Sequence, residues 1–264
     1  MCLNPGHWDQ KGVTMIRWLM MVMAVGISLF AETLTAEYVV EYGIFGKMGI
    51  SEATLECNAT HYAIEMKARA TGLAKVLSGG RVEVYKSEGR VVAGRFVPDL
   101  YAKDIRRSGK RRIKIYHFDH PRRLVTFHEE RYKNGKLESE KNETLPYYAD
   151  NDIFSLYFNI LQIIGDCGKP FDRDLHAVGA EKKTGKVRVQ TLVDEKERML
   201  AQEMLGEGAA CYLKVTIYQK IFGSKGGELY LALRNDGVAT SAVLKDVVMF
   251  GDVRGRLLKY SEKQ

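Results

Sequence analysis

The chain has 264 residues, 45% of them hydrophobic and 28% charged, and its 40 Lys and Arg outnumber 33 Asp and Glu for a formal net charge of +7. That length allows one sizeable hydrophobic core and only marginally two. The cysteines are too few and too widely spaced for a small disulfide framework. The absence of a C-x-x-C pair removes the usual zinc and redox signatures, and the basic surplus favours anionic partners.

Residues 1–14 (MCLNPGHWDQKGVT) have no periodicity. Lys11-Gly12 is encoded by a purine run resembling a ribosome-binding site, with Val13-Thr14 as spacer, so translation is expected to start at Met15 and residues 1–14 are read as a mis-annotated extension. Residues 15–31 form a secretion signal: Arg17 is the charged start, Trp18 to Phe30 the uncharged apolar run and Ala31 the small cleavage residue, with Ala36 as the alternative. At about 1.5 Å per residue, Trp18 to Ala31 spans roughly 21 Å, short of a hydrocarbon core of about 30 Å. Cleavage is therefore expected, without a lipidated cysteine and with no stable transmembrane segment left. Losing Lys11, Arg17 and Asp9 barely changes the charge. Outside the cytoplasm a basic surface meets headgroups, phosphorylated glycans or acidic polysaccharide rather than nucleic acid.

The remainder, 37–260, reads as a single β-rich domain. Period-2 alternation predicts strands at Glu37 to Phe45, Ile50 to Cys57, Tyr62 to Ala70, Arg81 to Lys86, Val91 to Val97, Arg112 to Phe118 and Leu124 to Tyr132. Turns are expected at Gly46 and Gly49, Asn58, Gly79-Gly80, Ser87-Glu88-Gly89, Asp119 to Arg122 and Asn134-Gly135. Between the third and fourth of these strands, Gly72 to Ser78 sets Leu73, Val76 and Leu77 at helical spacing. Later strands are predicted at Lys186 to Val193, Ala210 to Phe222, Glu228 to Arg234 and Ala239 to Phe250. One helix interrupts this meander: Asn151 or Asp152 is its N-cap, Ile153 to Ile164 its body and Gly165 its stop. It is apolar nearly all round, with Ser155, Asn159 and Gln162 as its polar residues, so a sheet should enclose it. The expected fold is mainly β: a large, strongly curved antiparallel sheet, an open or partial barrel, wrapping one buried apolar helix. Cys57, Cys167 and Cys211 allow three single pairings or none.

The segments GIFGKMGISEATLEC (Gly43 to Cys57), ATGLAKVL (Ala70 to Leu77), HFDHPRR (His117 to Arg123), DNDIFSLYFNILQ (Asp150 to Gln162) and FGDVRGRL (Phe250 to Leu257) occur in the order of a known family. The chain resembles the exported bacterial family catalogued as domain of unknown function 3108 (DUF3108). The resemblance covers almost all of the processed chain. It implies an exported protein dominated by a large curved antiparallel sheet, comparable with periplasmic lipoprotein-like folds, and supplies no established activity. The stretch Val238 to Val243 lacks the proline that usually follows the late turn, which leaves the register of that hairpin open.

Two residue sets are candidate ligand sites. Arg106, Arg107, Lys110, Arg111 and Arg112, with Lys114, Arg122 and Arg123 nearby, form the densest basic run, suited to an anion or a membrane surface or to guarding a strand edge by charge. Leu73, Leu77, Phe154 and Phe158, with Val76, Tyr157 and Leu161, either line an acyl-sized cavity or fill the core. His117, His120 and His128 do not share one strand face, so no metal site is expected. There is no Gly-x-Ser-x-Gly, no cysteine with a base, and no convincing carboxylate pair, and Gly223 to Gly227 lacks the ending of a phosphate loop, so no catalysis and no cofactor are expected. Asn58 and Asn142 fit an acidic-x-Asn-x-Thr glycosylation pattern and fall in predicted turns. The expected protein is periplasmic and non-catalytic, binding or carrying a lipid-like or anionic envelope component. A structural or partner-binding assembly protein with a filled core is the alternative, and an envelope hydrolase a distant third.

Overall fold

Alternation of inward apolar and outward polar side chains favours consecutive antiparallel pairing, and the chain follows it almost without exception. The computed structural model describes residues 32–43, 46–218, 227–247 and 251–263. The signal segment 15–31 and the glycine-rich turn at 223–226 lie outside them. In chain order the elements are β1 (Glu32–Tyr42), β2 (Gly46–Cys57), β3 (His61–Ala70), α1 (Gly72–Leu77), β4 (Val82–Val92), β5 (Arg95–Arg107), β6 (Lys110–Asp119), β7 (Leu124–Lys133), β8 (Lys136–Thr144), β9 (Asn151–Asp152), α2 (Ile153–Ile164), β10 (Asp172–Val178), β11 (Lys186–Thr191), α3 (Glu195–Leu205), β12 (Cys211–Ile217), β13 (Glu228–Leu233), β14 (Ala239–Val247) and β15 (Gly251–Lys263).

Together they form one 15-stranded sheet. Two meanders, β1 to β8 and β9 to β15, are joined where β1 pairs with β15, Thr33 opposite Lys263 and Tyr42 opposite Val253. All ladders are antiparallel except β9 with β10. The sheet curls without closing, and β8 and β9 are its two edges. The β8 edge is exposed along its whole length and rich in charge, which discourages pairing with another chain.

The helix α2 lies inside the curl. Asp152 accepts hydrogen bonds from the Phe154 and Ser155 amides, and the Ser155 hydroxyl accepts one from the Asp152 amide, a complete capping box. Two of the polar residues of this helix, Ser155 and Asn159, are among its deepest. Asn159 accepts from the Phe96 amide at 2.8 Å and donates to the Phe96 carbonyl, binding the helix to β5 like an extra strand. Ser155 and Asn159 are buried, whereas Phe154, Tyr157 and Phe158 are only half-buried, so the enclosure is partial. A disulfide joins Cys167, just past the helix, to Cys211 on β12. No described cysteine is free.

Several expectations are corrected. Gly49 and Ser87-Glu88-Gly89 are not turns: β2 and β4 run through them, and the reversal after β4 comes at Ala93-Gly94, both with positive φ, inside the strand expected at Val91 to Val97. Gly89 faces Pro98 across a bulge, where any Cβ would meet the Val97 carbonyl oxygen at 2.1 Å. The glycine permits close approach of two backbones rather than a reversal. Strands β8, β10 and β15 and most of β5 were not foreseen, nor was α3, which covers the outer face of β12 to β14 through Ala201 and Leu205. The late hairpin does form, with Leu233 opposite Ala239 after a bulge.

Candidate functional site

The inner face of β1 to β5, the apolar side of α2 and the inner face of β11 to β13 do not meet in a packed interior. Between them lies a cavity of about 910 Å³, near the upper end of the ~300–1,000 Å³ usual for small-molecule sites. Its depth is apolar: Leu156 and Ile160 of α2 face Val189 and Leu213 on one side, and Met48 and Met66 lie on the other. This explains why a helix apolar nearly all round is only partly covered, since one flank borders space instead of atoms.

The mouth is charged and lies beside α1, where Ala74, Leu77, Arg69, Arg81 and Arg107 line it and Leu77, Arg69 and Arg107 are exposed. Register puts Met66, Tyr85 and Lys103 of the cavity wall in one row with Lys114 and Glu129, which lie beyond it, across β3 to β7. Lys103 sits 4.7 Å from the centroid of the Tyr85 ring. Burial pushes its ammonium below the ordinary lysine range, partly offset by Glu83. Glu83 is buried, accepts from Arg81 Nε at 2.5 Å and from the Tyr85 hydroxyl, and thereby fixes the Arg81 fork at the mouth. On β7, burial would raise the Glu129 carboxyl, but hydrogen bonds from Arg112 and Arg131 and the charge of Lys114 carry it down to about 2.

The expected site residues divide. Leu77, Phe154 and Arg107 line the cavity. Phe158 does not: it packs in a separate cluster against Phe96. The side chain of Leu73 lies outside the described residues. Arg106 and Arg111 both bind Asp104, and Arg112 binds Glu129. Lys110 opens β6 opposite Arg107, with no ion pair among the described residues. Sequence reading missed Arg81, Glu83 and Lys103. Alternation marks 81, 83 and 85 as one face of a strand, but only the curvature shows that this face turns inward.

The histidines disperse. His120 donates or accepts through Nδ1 with Tyr148 and reaches the Pro98 carbonyl through Nε2, while His128 pairs with Asn142 and Glu130. Among the described residues no group of three or more His, Cys, Asp or Glu is placed to hold a metal ion. Asn58 lies in a turn as expected, with its side-chain oxygen accepting from the Thr60 and His61 amides. Asn142 is a correction: it lies within the edge strand β8. No described helix is long and apolar enough to cross a membrane.

No curated protein matches the chain. The crystal structure of a beta-barrel-like protein of domain of unknown function DUF1849 from Brucella abortus is similar to it at 12% sequence identity and a TM-score of 0.48, covering 90% of this chain and 100% of that one. The family described as "Protein of unknown function (DUF3108)" matches residues 37–257, nearly the whole β-rich domain, and the chain belongs to that family.

Proposed function

We propose that the protein is an exported, non-catalytic component of the bacterial periplasm that carries an amphipathic envelope molecule, its acyl portion in the cavity and its anionic head at the mouth. The observation that supports this is the apolar space itself. Interiors are ordinarily packed as tightly as organic crystals, and empty apolar volume costs stability, so a cavity of about 910 Å³ against a helix is costly unless something occupies it. The mouth supplies Arg81, Lys103 and Arg107 against one carboxylate, Glu83, and a lipid with a phosphate or carboxylate head satisfies both ends.

Native mass spectrometry of protein purified gently from the periplasm tests this. The expected result is a reproducible extra mass that organic extraction removes, and that lysophosphatidic acid or palmitate restores. Ala68→Trp, which places a large side chain in the cavity from a half-buried strand position, should lower occupancy without lowering the melting temperature. Clean apo mass in repeated preparations, with no uptake of either probe, overturns the carrier reading in favour of a partner-binding assembly protein.

A further inference from the structure

At the mouth end, three chain reversals lie side by side. The Thr71 amide at the start of the β3–β4 connection donates to the Met48 carbonyl, the Ser108 amide in the β5–β6 turn donates to Gly79 at 2.9 Å, and the Asn134 amide in the β7–β8 turn donates to Gly109 at 2.7 Å. This continuous surface carries Lys75, Arg107, Lys110 and Lys136, none with an ion-pair partner among the described residues. Its acids are already engaged: Glu83 holds Arg81, Asp104 lies between Arg106 and Arg111, and Glu138 lies 4.0 Å from Lys133. From its middle project two apolar side chains of α1, Val76 at 77% exposure and Leu77 at 66%, with Val82 and Leu137 exposed nearby. Exposed apolar residues alone decide nothing, because α3 also exposes Met199 and Leu200. There, however, Glu195, Glu197 and Glu203 outnumber Lys196 and Arg198. At the α1 end the apolar tip stands in unpaired cations.

We propose that this end docks on an anionic phospholipid bilayer, with Val76 and Leu77 entering the interfacial layer and the surrounding lysines and arginines against the headgroups. A soluble partner would need neither the protruding side chains nor the unpaired charge, whereas a bilayer surface matches both. The orientation has a consequence for the cavity: Leu77 and Arg107 belong to both the docking surface and the mouth, so docking opens the cavity towards the leaflet. The docking stands on the surface alone and goes beyond the carrier reading.

Residues 32–264 contain no tryptophan, so Val76→Trp reports on α1 and Met199→Trp serves as its control on α3, each read against the parent protein. With phosphatidylglycerol vesicles Val76→Trp should shift to the blue and be quenched by brominated lipid, with phosphatidylcholine vesicles it should not, and Met199→Trp should respond to neither. Vesicle flotation should weaken about tenfold when Val76 and Leu77 are both replaced by Asp, or when Lys75, Arg107 and Lys110 are replaced by Ser, and high salt should weaken it too. Equal responses from both tryptophans, or flotation indifferent to Val76→Asp/Leu77→Asp, would overturn the proposal. So would equally tight binding to a soluble anionic polysaccharide that the double Asp variant retains, which would identify a glycan site instead. Since all four positions outside the cavity are exposed, circular dichroism suffices to confirm folding. Docking without any bound lipid mass leaves this inference intact and removes the carrier reading, and bound lipid without docking does the reverse.

Discussion

Asp152 is wholly buried, and its carboxylate accepts from the Ser87 hydroxyl at 2.6 Å as well as from two helix amides. Burial nonetheless dominates and raises the carboxyl to about 6, with those hydrogen bonds pulling the other way. A carboxyl that binds its proton more tightly in the fold than in the unfolded chain favours folding most at low pH. Its contribution falls as pH rises from about 4 to about 6 and is flat above, a difference of about 3 kcal/mol. Asp152→Asn keeps an acceptor for the helix amides and cannot ionise. The variant should therefore match or exceed the parent at pH 7.5, with the difference closing towards pH 4, as denaturant midpoints across that range would show. Parallel curves would mean that Asp152 is not a titrating buried acid. The cap was legible from an Asp standing before an apolar run, but Ser87, 65 residues upstream, was not, because only the curl of the sheet brings β4 over the start of α2. The same applies to the basic run: Arg106 and Arg111 read as free cations until strand pairing sets Asp104 between them.

At the scale of elements, the body and stop of α2 were legible to the residue and its cap to one of two neighbours, because all three are local signals, and the first three strands were legible because they are amphipathic. The strands that were missed lack that contrast. β8 is polar on both faces as an exposed edge, β15 alternates weakly, and β5 contains Pro98, which the bulge at Gly89 accommodates. α3 had its signals, Asp194 as N-cap with Glu195 and Glu197 in the first turn, but too little apolar periodicity to stand out. The choice among cysteine pairings was also beyond local signals, because it depends on where α2 ends relative to β12. Cys167–Cys211 closes a loop across 44 positions, which by chain entropy alone is worth about 4 kcal/mol. It also anchors the C-terminal end of α2, whose opposite end is held by Asp152. Replacing both cysteines by Ser should lower the unfolding free energy by about 2–4 kcal/mol, and hydrogen exchange should accelerate first in the last turn of α2. Protection lost uniformly over the sheet would show that the bridge stabilises the whole fold without positioning the helix.

Across the whole molecule, nearly every ladder joins neighbours in sequence, and β1 with β15 is the main exception. Meander hairpins close short loops, whereas the β1–β15 seam requires residues such as Thr33 and Lys263 to find each other across almost the full chain. Loop-closure entropy therefore places the seam late in folding, after the two meanders have formed. Val253 tests this order. It is buried in β15, opposite Tyr42 of β1 on one side and Leu244 of β14 on the other. Val253→Ala removes apolar volume at the seam and should destabilise the fold by about 1–2 kcal/mol. If the seam is unformed in the transition state, the loss appears almost wholly as faster unfolding, with the refolding rate little changed. Val125→Ala, in the core of the β6–β7 hairpin and fully buried, should instead slow refolding. Stopped-flow measurements on protein with its disulfide intact separate the two, and slower refolding in Val253→Ala would place the joining of the termini at the start of folding instead of its end.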